Sequence, residues 1–217
     1  MTPGMHDRAD TTVGDAAAEE DARHVAALRR QLVGAAEAAG IVDVAYRVVD
    51  SPVGPLLVAA TEDGLVRVAF SSEGHESVLE HLSQSISPRV LQAPGRLDDA
   101  ARQLEAYFTG RSQTFDLRVD LRRSTPFRRR VQEYLPLIEF GQTASYRQVA
   151  EQVGSPRAVR AVGTACATNP LPIVIPCHRV LRSDGGLGGY LGGTDAKAEL
   201  LALEGHPPAG SGQGLLL

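Results

Sequence analysis

The residues best placed to do chemistry are Cys177 and His178, adjacent in the string Pro176-Cys177-His178-Arg179-Val180. A thiolate is a strong nucleophile, and a nearby imidazole is a common means of taking its proton. The pair follows an apolar run, Ile173-Val174-Ile175, that reads as a buried strand. It precedes a glycine-rich loop from Asp184 to Gly193. His178, Arg179 and the backbone N–H groups of such a turn are expected to lower the thiol pKa. Residue types alone leave a second reading open, a buried and inert cysteine beside a surface histidine, which is the commoner situation for free cysteines. Cys166 is the only other cysteine. Two are too few for a disulfide framework or a thiolate-rich zinc site, so no metal and no cofactor are expected.

The elements that must position this pair lie in a helical second half. Thr125-Pro126 reads as an N-cap and first-turn proline of a helix running to about Ile138. Ser145 is expected to cap a short helix, Tyr146 to Val153, ended by Gly154. Ser155-Pro156 is expected to cap another, reaching about Thr168. Two short helices joined by a tight glycine turn have the pattern of a helix-turn-helix, or of an ordinary helical hairpin. On the second helix Val159, Val162 and Cys166 make an apolar stripe. Its other side carries Arg160, Gly163, Thr164 and Ala167, all small but the arginine. Such a face lets a helix backbone approach a surface closely, as in a DNA groove, with Arg160 free to reach between bases.

The first half has a different texture. Tyr46–Val49, Leu56–Ala60 and Leu65–Phe70 are β-prone runs separated by Ser-Pro-Val-Gly-Pro and Glu-Asp-Gly turns, an antiparallel meander. Helices are expected near Ser77–Ser85 and Leu97–Thr109, with a loop around Pro88–Pro94 between them. Phe115–Val119 alternates like a further strand. The fold class is therefore α+β: a small N-terminal antiparallel sheet with helices, then a helical C-terminal domain holding the active-site loop. The expected divisions are an extension over 1–44, domains over 45–120 and 121–206, and a flexible tail over 207–217. Within the extension, residues 1 to about 20 are expected to be disordered. Residues 21 to 39 read as a weakly amphipathic helix striped by Val25, Leu28, Leu32 and Ala36.

The Pro-Cys-His-Arg-Val string, Asn169-Pro170 before it and Gly189-Tyr190-Leu191-Gly192-Gly193 after it resemble the active site of the O6-alkylguanine-DNA alkyltransferases, also called methylated-DNA–protein-cysteine methyltransferases. The resemblance covers roughly residues 46–205. It takes in the Ser51-Pro52-Val53-Gly54-Pro55-Leu56 hairpin and Thr125-Pro126-Phe127. It implies a ribonuclease H-like first domain and a protein that flips O6-alkylguanine out of double-stranded DNA, then moves the alkyl group irreversibly to its own Cys177. O4-alkylthymine is a second candidate lesion. The resemblance further implies that His178 acts as base through a bridging water and that Glu204 holds His178. Tyr146 would press on the flipped nucleotide's phosphate and donate to guanine N3, and Arg160 would fill the vacated stack, beside the small residues Gly163 and Thr164. Asn169 would tie the helix end to the active-site loop, and the carbonyls of Cys177 and Val180 would accept from the guanine amino group. Tyr190 would wall the pocket, the Leu191 N–H would face O6, Gly192 would belong to the same loop, and Lys197 would support it. The pattern departs from the family at Cys166, where a larger or polar residue is usual, and at Leu191, where a small one is. Both are expected to reshape the pocket. Gln132 stands where a tryptophan is common, and the arginine often found before Lys197 is missing.

Bulk composition agrees with a soluble globular protein: 43% hydrophobic, 22% charged, net charge −4. Charge is unevenly spread. From Arg122 to Arg182 ten basic residues face three acidic ones, giving +7, so the remainder carries −11. A basic half is the footprint expected of a polyanion binder. No run is long and apolar enough for a membrane span, and the acidic N-terminus has no signal-like core, so a cytoplasmic monomer is expected. Rival readings are weaker. A lesion sensor of this family would lack the acceptor cysteine. A methylation-activated regulator would need a cysteine-rich module, and residues 1–44 hold no cysteine. An unrelated cysteine hydrolase using Cys177, His178 and Glu204 would turn over many times.

Overall fold

A computed structural model describes the backbone of residues 10–206 and the side chains from residue 20 onward, apart from those of 22, 29 and 30. Helix α1 (Asp10–Ala38) is one of two contact units and is followed by the second, which begins at Asp43. Helix was expected only from residue 21. The alanine- and glutamate-rich stretch before it, good helix-forming sequence despite its polarity, continues the helix back to Asp10. The helix thus occupies residues 10–20 of the stretch expected to be disordered; residues 1–9, and the expected tail from 207, lie outside the described residues.

In the second unit, β1 (Val44–Val49), β2 (Leu56–Thr61) and β3 (Gly64–Phe70) form the expected meander, paired antiparallel in the order β3-β2-β1. The sheet does not end there. Strand β4 (Val90–Gln92), inside the expected loop, pairs parallel with β1, so the four-stranded sheet is mixed. Three residues are too few to show a period, so their pairing is a tertiary decision. Central strand β2 is buried along its whole length. Leu57 and Ala59 join Val44, Val66 and Ala69 in a core closed by Val78 and Leu82 of α2 (His75–Ser85). Burying one such aliphatic side chain is worth about 1.5–3 kcal/mol.

Helix α3 (Asp98–Phe108) buries Ala100, Leu104 and Tyr107. Phe115–Val119 is not a strand. It makes one isolated bridge, Leu65 to Val119, and the Leu65 N–H donates to the Arg118 carbonyl at 2.8 Å. The approach is so close that a Cβ at Gly64 would stand 2.4 Å from that carbonyl oxygen, which fixes glycine there.

The second half supplies α4 (Pro126–Tyr134), α5 (Tyr146–Gln152), α6 (Val159–Ala167) and α7 (Gly193–Leu203). Ser145 caps α5 as expected, in a capping box with Gln148. Ser155-Pro156 does not cap α6. Residues 155–158 close a turn through the Ala158 N–H and the Ser155 carbonyl (2.8 Å), and the helix starts at Val159. Nor is Ile173-Val174-Ile175 a strand. The Ile175 N–H returns to the Leu171 carbonyl at 2.8 Å, and Ile173 sits at φ +76°, a conformation costly for a β-branched residue. Two short strands that the sequence did not announce, β5 (Ala144–Ser145) and β6 (Val180–Leu181), pair in parallel. β5 runs directly into α5 and β6 directly follows the turn Cys177–Arg179, so this ladder sets Tyr146 beside the cysteine turn.

Candidate active site

Cys177 opens a 3-10 turn, Cys177–Arg179, in which Cys177, His178 and Arg179 are all buried. Asn169, fully buried just beyond α6, organises its approach. The Asn169 side-chain amide donates to the Ile175 carbonyl (2.8 Å) and to Cys177 Sγ (3.1 Å), and its Oδ1 accepts from the Leu171 N–H (3.1 Å). Its backbone N–H donates to the Cys166 carbonyl at 3.3 Å. One residue thus joins the end of α6 to the strained turn and to the thiol, and these bonds offset the cost of Ile173.

Glu204 lies at the C-terminal end of α7, where the helix dipole disfavours a carboxylate. Its neighbours reverse that preference. His178 Nε2 stands 3.0 Å from Oε1, Arg179 donates to both oxygens at 2.8 and 2.9 Å, Tyr107 donates to Oε1 at 2.7 Å, and the Gly141 N–H reaches Oε2 at 3.3 Å. Despite burial, the His178 hydrogen bond and the paired Arg179 guanidinium hold the carboxyl at about 2. An ionised carboxylate only accepts, so His178 Nε2 carries the hydrogen. The neutral ring then has its lone pair on Nδ1, which is buried with no partner among the described residues. Burial, together with the charges of Arg179 and Lys197, lowers the His178 pKa more than Glu204 raises it, so the ring is neutral at neutral pH.

The thiol differs from expectation. Burial pushes Cys177 up to about 11; the Asn169 hydrogen bond and the charge of Lys197 oppose it. Of the groups expected to lower it, a backbone N–H does so, but His178 and Arg179 do not. Arg179 is instead committed to Glu204 and to the Ile138 carbonyl (2.6 Å), and His178 is uncharged. The cation that faces the thiol is Lys197, fully buried, its Nζ donating to the Val180 carbonyl (2.6 Å) and to the Leu187 carbonyl.

Tyr146, the first residue of α5, is half-buried and pushed up to about 12 by burial and by the proximity of Cys166 and Cys177. A Cβ at Gly188 (φ +67°) would lie 3.0 Å from its hydroxyl. Tyr190 sets its ring edge-on to Phe70 and to His178, centroids 5.5 and 6.3 Å apart, with its hydroxyl buried. At Gly192 a Cβ would meet the Phe70 ring at 2.8 Å, so the loop lies hard against β3. Leu191 borders a cleft of about 560 Å³ shared with Ser77 and His81 of α2 and with Ala167 and Thr168.

The rest of the expected site is outside. Arg160, Ala161, Thr164 and Ala167 form the exposed face of α6, while Val162 and Cys166 are buried. Gly163 has open space where a Cβ would be, and the Arg160 guanidinium has no partner among the described residues. Arg147, Arg157 and Arg182 are exposed nearby. The +7 count overstates this surface, because Arg179 is buried on Glu204 and Arg122 is paired with Asp120 and Asp63. Among the described residues no cluster of three or more His, Cys, Asp or Glu is arranged to hold a metal, and no helix is long and apolar enough to cross a membrane.

The family pattern described as 6-O-methylguanine DNA methyltransferase, ribonuclease-like domain, matches residues 44–121, and that of the DNA binding domain of the same methyltransferase matches residues 126–206. The chain belongs to this family. The methylated-DNA–protein-cysteine methyltransferase of Mycobacterium tuberculosis is 41% identical over 159 residues, 73% of this chain and 91% of that protein. That of Mycolicibacterium paratuberculosis is 43% identical over 167 residues, covering 76% and 96%. The crystal structure of Mycobacterium tuberculosis OGT in complex with DNA superposes with a TM-score of 0.64 at 41% identity, over 76% of this chain and 96% of that one. The chain is a methylated-DNA–protein-cysteine methyltransferase. It moves a methyl group from O6-alkylguanine in DNA directly to a cysteine of its own, once per molecule.

Two members of the buried cluster escaped the sequence reading. Tyr107 and Gly141 carry no local signal for their contacts with Glu204; a Cβ at Gly141 (φ +74°) would sit 2.7 Å from the Glu204 carbonyl. Arg179 was legible as part of the string but not as a partner of Glu204.

Proposed function

We propose that Cys177 is the acceptor and that His178 receives its proton. The observation that carries this is the asymmetric setting of His178, the residue after Cys177 in the buried turn: Nε2 is pinned by Glu204, and Nδ1 is buried with no hydrogen-bond partner among the described residues, free to take a proton. At rest both partners are neutral. A bridging water carries the Cys177 proton to Nδ1 as sulfur attacks, so the nucleophile is generated when it is used. The Sγ–carbon bond forms and the carbon–O6 bond breaks, the electron pair leaving with the guanine. Tyr146 donates to N3 and neutralises the charge gathering on the ring; its raised pKa keeps it protonated for that purpose. The product is a thioether, which no group in the site can expel.

The lesion carbon is hidden inside a duplex, so the base is flipped, at a cost of roughly a few kcal/mol. Arg160 fills the gap while the small α6 face lies against the groove, with Gly163 and Thr164 in contact. The carbonyls of Cys177 and Val180 each already accept one bond, from the Val180 N–H and from Lys197. Each keeps a second lone pair for the guanine amino group. O4-alkylthymine has no such amino group and is the poorer substrate. The Leu191 N–H faces O6, Tyr190 and Gly192 wall the pocket with Cys166 behind it, and Lys197 holds the loop. Residues 121–206 do the chemistry on the scaffold of 45–120, and one chain suffices for one lesion, so the protein acts as a monomer.

Mixing the protein with duplex DNA containing O6-methylguanine should add one methyl mass, mapped by mass spectrometry to the peptide holding Cys177. Cys177→Ala should add none. A label on Cys166, or more than one turnover per molecule, would overturn the assignment.

A further inference from the structure

We propose that Tyr107 is a positioning residue for the transfer reaction: from the first half of the chain, its hydroxyl sets how much negative charge Glu204 presents to His178. The inference rests on the assignment of His178 as the proton acceptor and extends it to a residue 70 positions away from Cys177 in the sequence.

Tyr107 is fully buried on α3, its ring among those of Phe108, Phe115 and Phe140, at centroid distances of 5.3, 5.3 and 6.1 Å. A phenylalanine would satisfy the same packing. What tyrosine adds is a single polar atom, and that atom donates at 2.7 Å to Oε1, the oxygen that also receives His178. The charge on Oε1 is therefore divided among three donors: Tyr107, His178 and Arg179. A hydrogen bond to a charged acceptor in a buried setting is among the stronger ones, so the hydroxyl draws real charge away from the imidazole.

The groups that face His178 act together. Glu204 favours its protonated form; Arg179 and Lys197 disfavour it, as does burial. Tyr190 sets a ring edge against it, and Cys177 precedes it in the turn. Arg179 already offsets part of the carboxylate charge, and a neutral donor on the same oxygen changes how much of it is left to act on the imidazole. With the Tyr107 hydroxyl in place, Glu204 orients the ring without charging it, and Nδ1 stays ready to take the proton. Without it, Oε1 carries more negative charge and the imidazolium becomes easier to form. The His178 pKa rises, and at a given pH less of the protein holds the neutral ring that the reaction requires. The first half of the chain thereby tunes the chemistry of the second.

The test is the pH dependence of single-turnover methyl transfer at saturating duplex containing O6-methylguanine. In the wild-type protein the rate should rise with pH as His178 loses its proton. Tyr107→Phe keeps the ring and should move that midpoint up by about half to one pH unit, with the alkaline plateau changed by less than about threefold. Fluorotyrosine placed at position 107 alone is a stronger donor of nearly the same shape and should move the midpoint down. Phe115→Leu loosens the same aromatic box without touching Glu204; it should lower thermal stability and leave the midpoint unmoved. An unchanged midpoint in both position-107 variants, or an equal shift in Phe115→Leu, would overturn the proposal and reduce Tyr107 to packing. Failure of the underlying assignment looks different: the wild-type protein itself would then add no methyl to Cys177, or its rate would show no rise with pH.

Discussion

The Glu204 cluster and the outer face of α6 solve opposite problems. In the cluster both carboxylate oxygens are occupied, by Tyr107, His178, Arg179 and Gly141. On α6 the one long side chain, Arg160, is exposed with no partner among the described residues, and its neighbours are an alanine, a glycine and a threonine. Chemistry on a buried thiol needs groups whose positions and charges are fixed before substrate arrives, because bulk water is excluded and cannot compensate errors. Binding DNA needs the reverse, a surface whose contacts are completed by the partner. A carboxylate saturated by protein donors, with His178 Nδ1 left open for the transferred proton, marks the reacting region, and an unpartnered surface cation on a small-residue face marks the recognising one.

The largest effect should come from breaking the cluster. Glu204→Gln keeps the shape but leaves the Arg179 guanidinium buried without a counter-charge. Such a loss destabilises by about 3–5 kcal/mol. Transfer should fall roughly a hundred- to ten-thousand-fold, the usual worth of a positioned general base. The acid side of the stability curve should change as well. Glu204 titrates at about 2 in the fold against an ordinary 4.5, so its stabilisation is present above pH 4.5 and is lost as pH falls toward 2. Thermal unfolding midpoints between pH 6 and pH 2 should therefore drop more steeply for the wild-type protein than for Glu204→Gln. Parallel curves would mean that the cluster does not store its stability in the charged pair.

A smaller and more selective effect belongs to α6. Arg160→Ala should slow transfer from a lesion in duplex DNA by about ten- to a hundredfold, because the cost of unstacking is no longer offset. Transfer from free O6-methylguanine base should be nearly intact, since no residue of the cluster is touched. Equal losses on the two substrates would place Arg160 in the support of the pocket and erase the division between the two regions.

The two regions were not equally legible. The α6 face could be read in advance because helical spacing alone sorts Val162 and Cys166 from Arg160, Gly163 and Thr164. The Cys177-His178 pair was equally plain as a local string, and Glu204 entered through family resemblance. Tyr107 could not be found that way: its packing position looks like any other apolar site on α3, and only the fold brings Glu204 to it. Local reading also failed where chain neighbours compete with long-range bonds. Ile173-Val174-Ile175 has strand composition, but the bonds of Asn169 and the Leu171 carbonyl hold it in a turn. Strand β4 has too few residues to announce itself, and the charge count from Arg122 to Arg182 could not know that Arg179 would be buried. Sequence shows which groups are present; which charges cancel is decided by tertiary contact.

The smallest effect should be at the second cysteine, and it sharpens the contrast within the buried region. Cys166 and Cys177 are nearly equally buried, 7% and 2% exposed. Burial raises both thiols, and each is near enough to Tyr146 to raise its pKa. What separates them is hydrogen bonding. The Asn169 amide reaches the sulfur of Cys177, whereas Cys166 is bonded to Asn169 through its backbone carbonyl. Among the described residues no donor reaches the Cys166 thiol and only the charge of Lys197 opposes the effect of its burial, so it remains a small apolar side chain. Cys166→Ala should cost about 1 kcal/mol, the price of a small cavity, and leave single-turnover transfer from methylated duplex within about twofold of wild type. Cys166→Ser, which buries a more strongly polar hydroxyl in place of the thiol, should cost more stability than alanine and equally little in rate. A loss of transfer in both variants at full folding would show that the second thiol takes part in the chemistry, and burial with a hydrogen bond to sulfur would no longer distinguish the acceptor from its neighbour.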